Sequence, residues 1–190
     1  MIIESINGIE LIFETCEASF SPMSIDKGTL AMLSQVDFTD TDKVLDLGCG
    51  YGVVGIYAAK VIGEQNVVMS DVDRECIELS VKNAELNRVG GIPVFLSDGF
   101  ADIHEKDFTL ILSNPPYHTD FAIPKHFIEK GFNRLKIGGK MFMVTKRKDW
   151  YKKKFIAIFG GVKISEIDEY YIFTAEKRSM QYSNNKIKKK

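Results

Sequence analysis

Val44-Leu45-Asp46-Leu47-Gly48-Cys49-Gly50-Tyr51-Gly52-Val53-Val54-Gly55 is a short apolar run that breaks into glycines and resumes with helical character. A run this brief, rich in Val and Leu, suits a buried strand. Glycine accepts positive φ and lets a ligand approach the backbone. The helix that follows aims its unpaired N–H groups at whatever sits above the loop. The stretch therefore reads as strand, ligand-cradling loop and helix, with a site at the carboxyl edge of the first parallel strand.

Downstream the same alternation continues. Apolar runs at Val67–Ser70, Val94–Leu96, Phe108–Leu112 and Met141–Thr145 are separated by segments of helical period at Val53–Val61, Cys76–Asn87 and Phe127–Leu135. Strands alternating with helices predict right-handed βαβ units and a doubly wound parallel sheet. Gly138-Gly139 is read as the stop and turn before the fifth strand. The rhythm then changes. Val162–Ile167 and Tyr170–Ala175 are strand-like and separated only by Asp168-Glu169, too close for a parallel crossover, so they must pair antiparallel or sit apart. Upstream, Asp26 to Val36 reads as a helix with Asp26 or Thr29 near its cap, and Ile2–Phe13 as a hairpin around Asn7-Gly8.

Length and composition set the bounds. The chain has 190 residues, 45% apolar and 27% charged, which is one ordinary globular domain rather than a disordered or fibrous chain. It divides into an N-terminal strand or hairpin extension (1–25), a main domain (26–180) and a basic tail (181–190) read as frayed. No apolar run reaches the length of a membrane span. Glu4 and Glu10, with no basic segment before the apolar residues, argue against a signal peptide. Cys16, Cys49 and Cys76 contain no C-x-x-C pair, which points to a reducing, cytoplasmic setting and away from disulfides or zinc. His104, His118 and His126 share no metal-ligand spacing, so no metal is expected. Net charge is −1, but residues 1–110 hold 7 Lys+Arg against 19 Asp+Glu, and residues 111–190 hold 18 against 7. The basic half fits an anionic partner, or else a set of solvated helix faces.

Gly50-x-Gly52-x-x-Gly55 matches the dinucleotide fingerprint, which alone is a weak signal. Asp46 decides against it. A carboxylate at the strand end repels a pyrophosphate but suits an ammonium or sulfonium group. Asp71 ends the next strand, at a spacing that suits two ribose hydroxyls. Asp98 follows the third strand and can accept from an adenine amine; Asp73 reads equally as a helix cap. With Gly48, Cys49, Gly50, Gly52, Val72 and Gly99 around them, these acids describe a neutral-to-cationic adenosine ligand, with S-adenosylmethionine (SAM) the candidate rather than NAD. Cys49 is a small loop residue with no base beside it.

The fourth strand ends in Ser113-Asn114-Pro115-Pro116-Tyr117. Pro116 holds Pro115 out of the α region, so the tetrad is extended and stiff. Neither proline has an N–H, so the backbone offers carbonyls only. Asn114 adds a side-chain oxygen. Two acceptors aimed at one planar NH2 hold both hydrogens and localise its lone pair for methyl transfer, while Tyr117 offers a stacking face. Positioning and electrostatics then carry the catalysis without a strong base.

The set Asp46-Leu-Gly-Cys-Gly-Tyr-Gly52, Asp71, Asp98 and Asn114-Pro-Pro-Tyr117 resembles the motifs of class I SAM-dependent methyltransferases acting on exocyclic or amide nitrogen. More narrowly, Phe20-Ser-Pro22, Asp26-Lys-Gly-Thr29 and Tyr170-Tyr-Ile-Phe resemble the catalytic "MTS" domain of small-subunit ribosomal RNA guanine-N2 methyltransferases. The resemblance implies a Rossmann-like seven-stranded sheet in the order 3-2-1-4-5-7-6 with strand 7 antiparallel and helices on both faces. It also implies SAM as methyl donor, S-adenosylhomocysteine as product and ribosomal RNA as partner. Larger guanine-N2 enzymes carry a second N-terminal copy of the domain, and release-factor enzymes a helical substrate domain; neither is read here. Adenine N6, a protein glutamine amide or a small molecule stay open as substrates, as does a SAM- or RNA-binding module without turnover.

Lys146-Arg147-Lys148-Asp149-Trp150-Tyr151-Lys152-Lys153-Lys154 follows the fifth strand. Cations interleaved with aromatics suit phosphate contact and base stacking, or a solvated helix start with Trp150 in the core. Lys146, Arg147, Lys152 and Lys153, with Phe20 and Lys27 upstream, are the expected RNA contacts.

Overall fold

The computed structural model describes residues 1–15, 24–116 and 120–183. Phe20, the Phe20-Ser-Pro22 motif, Tyr117, His118 and residues 184–190 lie outside them, and so do the expectations placed on those residues.

The chain opens with β1 (Ile2–Ile6) and β2 (Ile9–Phe13), an antiparallel hairpin turning at Asn7-Gly8, both at positive φ. Then come α1 (Lys27–Leu33), β3 (Val44–Leu47), α2 (Val53–Ile62), β4 (Val67–Asp71), α3 (Arg74–Leu86), β5 (Val94–Leu96), β6 (Phe108–Ser113), α4 (Ala122–Arg134), β7 (Leu135–Thr145), α5 (Asp149–Phe159), β8 (Lys163–Ile167) and β9 (Tyr170–Glu176). Seven strands form one sheet in the order β5-β4-β3-β6-β7-β9-β8. Counted within the sheet this is 3-2-1-4-5-7-6, with β9 antiparallel to both neighbours, as expected. Asp168 and Glu169, at φ 46° and 67°, make the two-residue turn whose twist matches a tight hairpin.

The period-2 alternation of the strands sorts the core into two layers. Val44, Val67, Met69, Leu110, Leu112, Phe142 and Val144 face α1, α2, α3 and the hairpin. Leu45, Leu47, Val68, Ile111, Met143 and Phe173 face α4 and α5. Because Leu45 and Leu47 point to the second layer, Asp46 between them must point to the first, toward the start of α2. The register of one strand thus aims the acid.

One expectation fails. Gly138-Gly139 does not stop a helix: α4 has ended at Arg134 and the chain is already extended at Leu135. The glycines form an irregularity inside β7, where the pairing jumps from Phe108–Leu135 to Leu110–Lys140. Gly138 supplies φ 83°, and a Cβ on Gly139 would lie 2.8 Å from the Phe108 carbonyl oxygen. Lys177 closes the bulge, exchanging main-chain bonds with Gly138 and Gly139 at 2.8 Å. Its ammonium donates to the Leu135 carbonyl at 2.7 Å, and burial lowers its pKa.

The hairpin is bound to the domain by side chains. Asn87 accepts from Ile12 N–H (3.0 Å) and donates to the Ile12 carbonyl (2.7 Å). Asn83 does the same with Glu14 at 2.7 and 2.9 Å. Two asparagines one helical turn apart thereby act as an extra strand along the edge of β2.

Candidate active site

The carboxyl ends of β3, β4, β5 and β6 open on a crevice of about 430 Å³. The glycine loop forms its floor. Gly48 and Cys49 N–H both donate to the Ser70 carbonyl at 2.9 Å, which ties the loop to β4. Gly50 N–H donates to Asp71 Oδ2 at 2.8 Å. Gly48 and Gly50 have φ of 74° and 55°, and a Cβ on Gly50 would meet nothing within 4 Å, so its backbone faces open space.

Of the expected ligand-binding residues, Asp46, Gly48, Cys49, Gly50, Asp71, Val72, Asp98, Gly99 and Asn114 line the crevice, with Pro115 and Pro116 beside them. Gly52 does not. It sits behind the loop at φ 97°, where a Cβ would press on Ile56 and Ser80, so it serves the turn into α2 and the packing of α3. Asp73 is the cap of α3, accepting from Glu75 N–H at 2.8 Å, while still edging the crevice. Lys27, Lys146, Arg147, Lys152 and Lys153 are exposed and line none of it.

Burial tunes the acids. Asp46 is 2% exposed and its Oδ2 accepts from Gly55 N–H at 2.8 Å. Desolvation raises its pKa to about 7, against the lowering effect of that bond and with help from the Asp71 charge. Asp71 accepts one main-chain N–H on each oxygen, from Gly50 and from Asp73, which fixes its plane and leaves lone pairs toward the crevice. The Cys49 thiol is pushed well up by burial and by Asp46 and Asp71, so it is no nucleophile. Tyr51 is raised to about 12 by burial and by Asp26.

Beyond β6 the tetrad begins with Asn114. Its Nδ2 donates to Asp26 Oδ1 at 2.8 Å and to Thr29 Oγ1 at 3.0 Å. Its Oδ1 is buried and has no hydrogen-bond partner. Among the described residues the buried side-chain polar atoms left in this state are Asn114 Oδ1, Tyr51 Oη and Ser70 Oγ, and all three belong to residues lining this crevice. An unmet buried polar group costs about 1–3 kcal/mol, so three on residues around one crevice point to polar ligand groups there. Sequence reading missed Asp26, Thr29, Tyr51 and Ser70 as site residues. Asp26 and Thr29 were legible as a helix cap and as part of the family-like Asp26-Lys-Gly-Thr29 motif, but with no role in the site; they do form the cap, Thr29 N–H donating to Asp26 Oδ1 at 3.0 Å.

The basic segment lies at the end of β7. Lys146, Arg147 and Lys148 are placed over the rings of Tyr170, Phe121 and Tyr171, at 4.9, 5.1 and 4.9 Å. Trp150 is half-buried, packs against the edge of the second core layer and stacks on Phe121 at 4.4 Å. Lys154 pairs with Glu129, while Lys152 and Lys153 are exposed.

Sheet order, glycine loop and crevice are those of a Rossmann-like methyltransferase fold. The family model for the methyltransferase small domain matches residues 10–174, and the chain belongs to that family. It is 32% identical over 166 residues to ribosomal RNA small subunit methyltransferase C of Psychromonas ingrahamii, covering 85% of this chain and 47% of that one. It is 28% identical over 174 residues to YbxB of Bacillus subtilis, covering 88% and 87%. Among solved structures it resembles the Thermus thermophilus 16S rRNA N2 G1207 methyltransferase RsmC in complex with AdoMet and guanosine. The TM-score is 0.83 at 27% identity, over 93% of this chain and 50% of that one. The chain thus spans about half the length of the ribosomal RNA enzymes and most of YbxB.

Proposed function

We propose that the chain is a SAM-dependent N-methyltransferase that methylates the exocyclic N2 amine of a guanine in small-subunit ribosomal RNA. The observation that carries this is the unpartnered, buried Asn114 Oδ1 beside the N–H-free Pro115-Pro116 backbone. An amide whose donors are already engaged and whose acceptor is free fits an incoming N–H. A hydroxyl, a thiol or a pyridine-type ring nitrogen does not supply the two hydrogens that Asn114 Oδ1 and the Pro115 carbonyl would hold. Held so, the amine keeps its lone pair out of conjugation and pointed along one direction.

The crevice fits the donor. Asp46 and Asp71 are acidic and partly or fully buried, Gly50 leaves its backbone open, and Tyr51 and Ser70 carry unmet hydroxyls. Asp71 and Val72 would hold the ribose and one face of the base, Asp98 and Gly99 the adenine edge, and Asp46, Gly48, Cys49 and Gly50 the amino-acid end. When bound, S-adenosylmethionine supplies a methyl group activated by its sulfonium and leaves as S-adenosylhomocysteine. The ribosomal RNA methyltransferase of Psychromonas ingrahamii and the solved 16S rRNA methyltransferase named above support the RNA reading. So does the cation-and-aromatic face at Lys146, Arg147, Lys152 and Lys153, which would take the phosphates. No helix among the described residues is long and apolar enough to cross a membrane, and action in the cytoplasm is part of the proposal.

The test is methyl transfer from labelled SAM into unmodified small-subunit ribosomal RNA, followed by digestion to nucleosides. Label in N2-methylguanosine is expected. Label in N6-methyladenosine overturns the guanine assignment, and no label in any nucleoside overturns the ribosomal RNA reading.

A further inference from the structure

Asn114 can receive a substrate amine in only one of its two amide orientations. Rotating the amide by half a turn swaps Oδ1 for Nδ2 at almost no steric cost, so something else must choose. Asp26 Oδ1, 2.8 Å from Nδ2, accepts and cannot donate when ionised. A rotated amide would set its oxygen against a carboxylate oxygen at hydrogen-bond distance. Thr29 Oγ1, at 3.0 Å, takes the second hydrogen of the same NH2.

The carboxylate is itself held. Thr29 N–H donates to Oδ1 at 3.0 Å and the Tyr170 hydroxyl to Oδ2 at 3.2 Å. Gly28 lets the Tyr170 ring come this close, since a Cβ there would lie 2.6 Å from two ring carbons. Capping α1 requires only Asp26 and Thr29. It does not require Asn114, 88 residues away, or Tyr170, 144 residues away, to converge on the same carboxylate.

We infer that Asp26 is a positioning residue for the amine acceptor: it fixes the Asn114 amide with Oδ1 toward the crevice, Thr29 being the second partner and Tyr170 the brace on the carboxylate. This rests on the amine-methylation reading of the same site. It makes the N-terminal Asp26-Lys-Gly-Thr29 motif and the last strand parts of the reaction geometry rather than of folding alone.

The cap and the lock can be separated. Serine caps a helix about as well as aspartate, but its hydroxyl is too short to serve Thr29 N–H and Asn114 together. Asparagine keeps an Oδ1 for both. Asp26→Ser should lower kcat by about 10–100-fold with SAM affinity and Tm little changed, because misplaced reacting groups lose rate rather than binding. Asp26→Asn should stay within about threefold of the unaltered enzyme, a rescue expected when the acceptor atom is what matters. A second readout needs no turnover. In 15N-labelled protein the Asn114 side-chain N–H hydrogens should exchange slowly with water, and quickly in Asp26→Ser. An unchanged kcat in Asp26→Ser, a full loss in Asp26→Asn, or equal Asn114 exchange in both proteins overturns the inference. If the unaltered protein transfers no methyl group, the amine-methylation reading falls, and the exchange measurement alone decides the role of Asp26.

Discussion

Asn83 donates from Nδ2 to the Tyr51 carbonyl at 2.9 Å, so the helix that clamps the N-terminal hairpin also holds the glycine loop. The same NH2 reaches the Glu14 carbonyl and its Oδ1 accepts Glu14 N–H. Asn83 is fully buried, and every polar atom it has is used. The hairpin and the crevice floor are therefore parts of one hydrogen-bonded unit.

This arrangement separates two otherwise similar residues. Asn83→Ala removes bonds to both the hairpin and the loop, whereas Asn87→Ala removes those to Ile12 and to the Asn83 carbonyl, which lie away from the crevice. Both should destabilise by about 1–3 kcal/mol, the cost of leaving buried partners unmet. Only Asn83→Ala should also weaken SAM. Calorimetric titration beside thermal melts checks this, and equal SAM affinity in the two variants would show that the loop holds its shape without Asn83.

Asn114→Ala deletes the free acceptor and leaves the glycine loop untouched. Methyl transfer should fall by about 10²–10³-fold, the scale seen when one preorganised group at a reacting centre is removed. SAM affinity should move by only a few-fold, since Asp71 and the loop amides are intact. Single-turnover assays and a binding titration measure the two separately; retained turnover would remove Asn114 from the reaction.

Much of this was legible in the sequence because it is local. Val44–Leu47 and the glycines after it carry strand, loop and helix within twelve residues, and Asp168-Glu169 is too short for a parallel crossover, leaving the antiparallel pair that forms as one of two outcomes. The Gly138-Gly139 bulge was not, because glycine marks a helix stop and a strand irregularity with the same letters. Gly52 fits the fingerprint, but its glycine is required by Ile56 and Ser80, which only the fold brings together. The Asp26–Asn114 contact had no local signal. No spacing rule links a helix cap to a strand end across three crossovers, and neither the cap nor the Asp26-Lys-Gly-Thr29 motif says which atom Asp26 meets.

The basic face makes a quantitative prediction. Lys154 is engaged by Glu129, which leaves Lys152 and Lys153 as exposed cations on the first turns of α5. On a single-stranded site, each phosphate no longer neutralised by a lysine should flatten the slope of log K against log salt by about 0.7, so Lys152→Ala with Lys153→Ala should flatten it by about 1.4. The measurement is RNA binding across a salt series. An unchanged slope would assign these lysines to solubility, and the RNA path would then rest on Lys146 and Arg147 alone.

Asp46 gives the crevice a pH dependence with a defined sign. Its pKa is raised to about 7, first by desolvation, against an ordinary value of 3.8. The folded state therefore binds this proton more tightly than the unfolded chain, and the stability contributed by the protonated acid is lost as pH rises from about 4 through 7. Asp46→Asn can still accept from Gly55 N–H but cannot ionise. It should melt higher than the unaltered protein at pH 8, by about 2 °C or more, and the difference should shrink toward pH 5. SAM binding runs the other way. A cationic donor beside Asp46 favours the carboxylate, so binding should release a proton and tighten as pH rises toward 7 and above. Calorimetry at pH 6.5 in buffers of different ionisation enthalpy reads that proton directly. Proton uptake, or an affinity that falls with rising pH, would mean that Asp46 stays neutral when the donor is bound and that the attraction comes from Asp71.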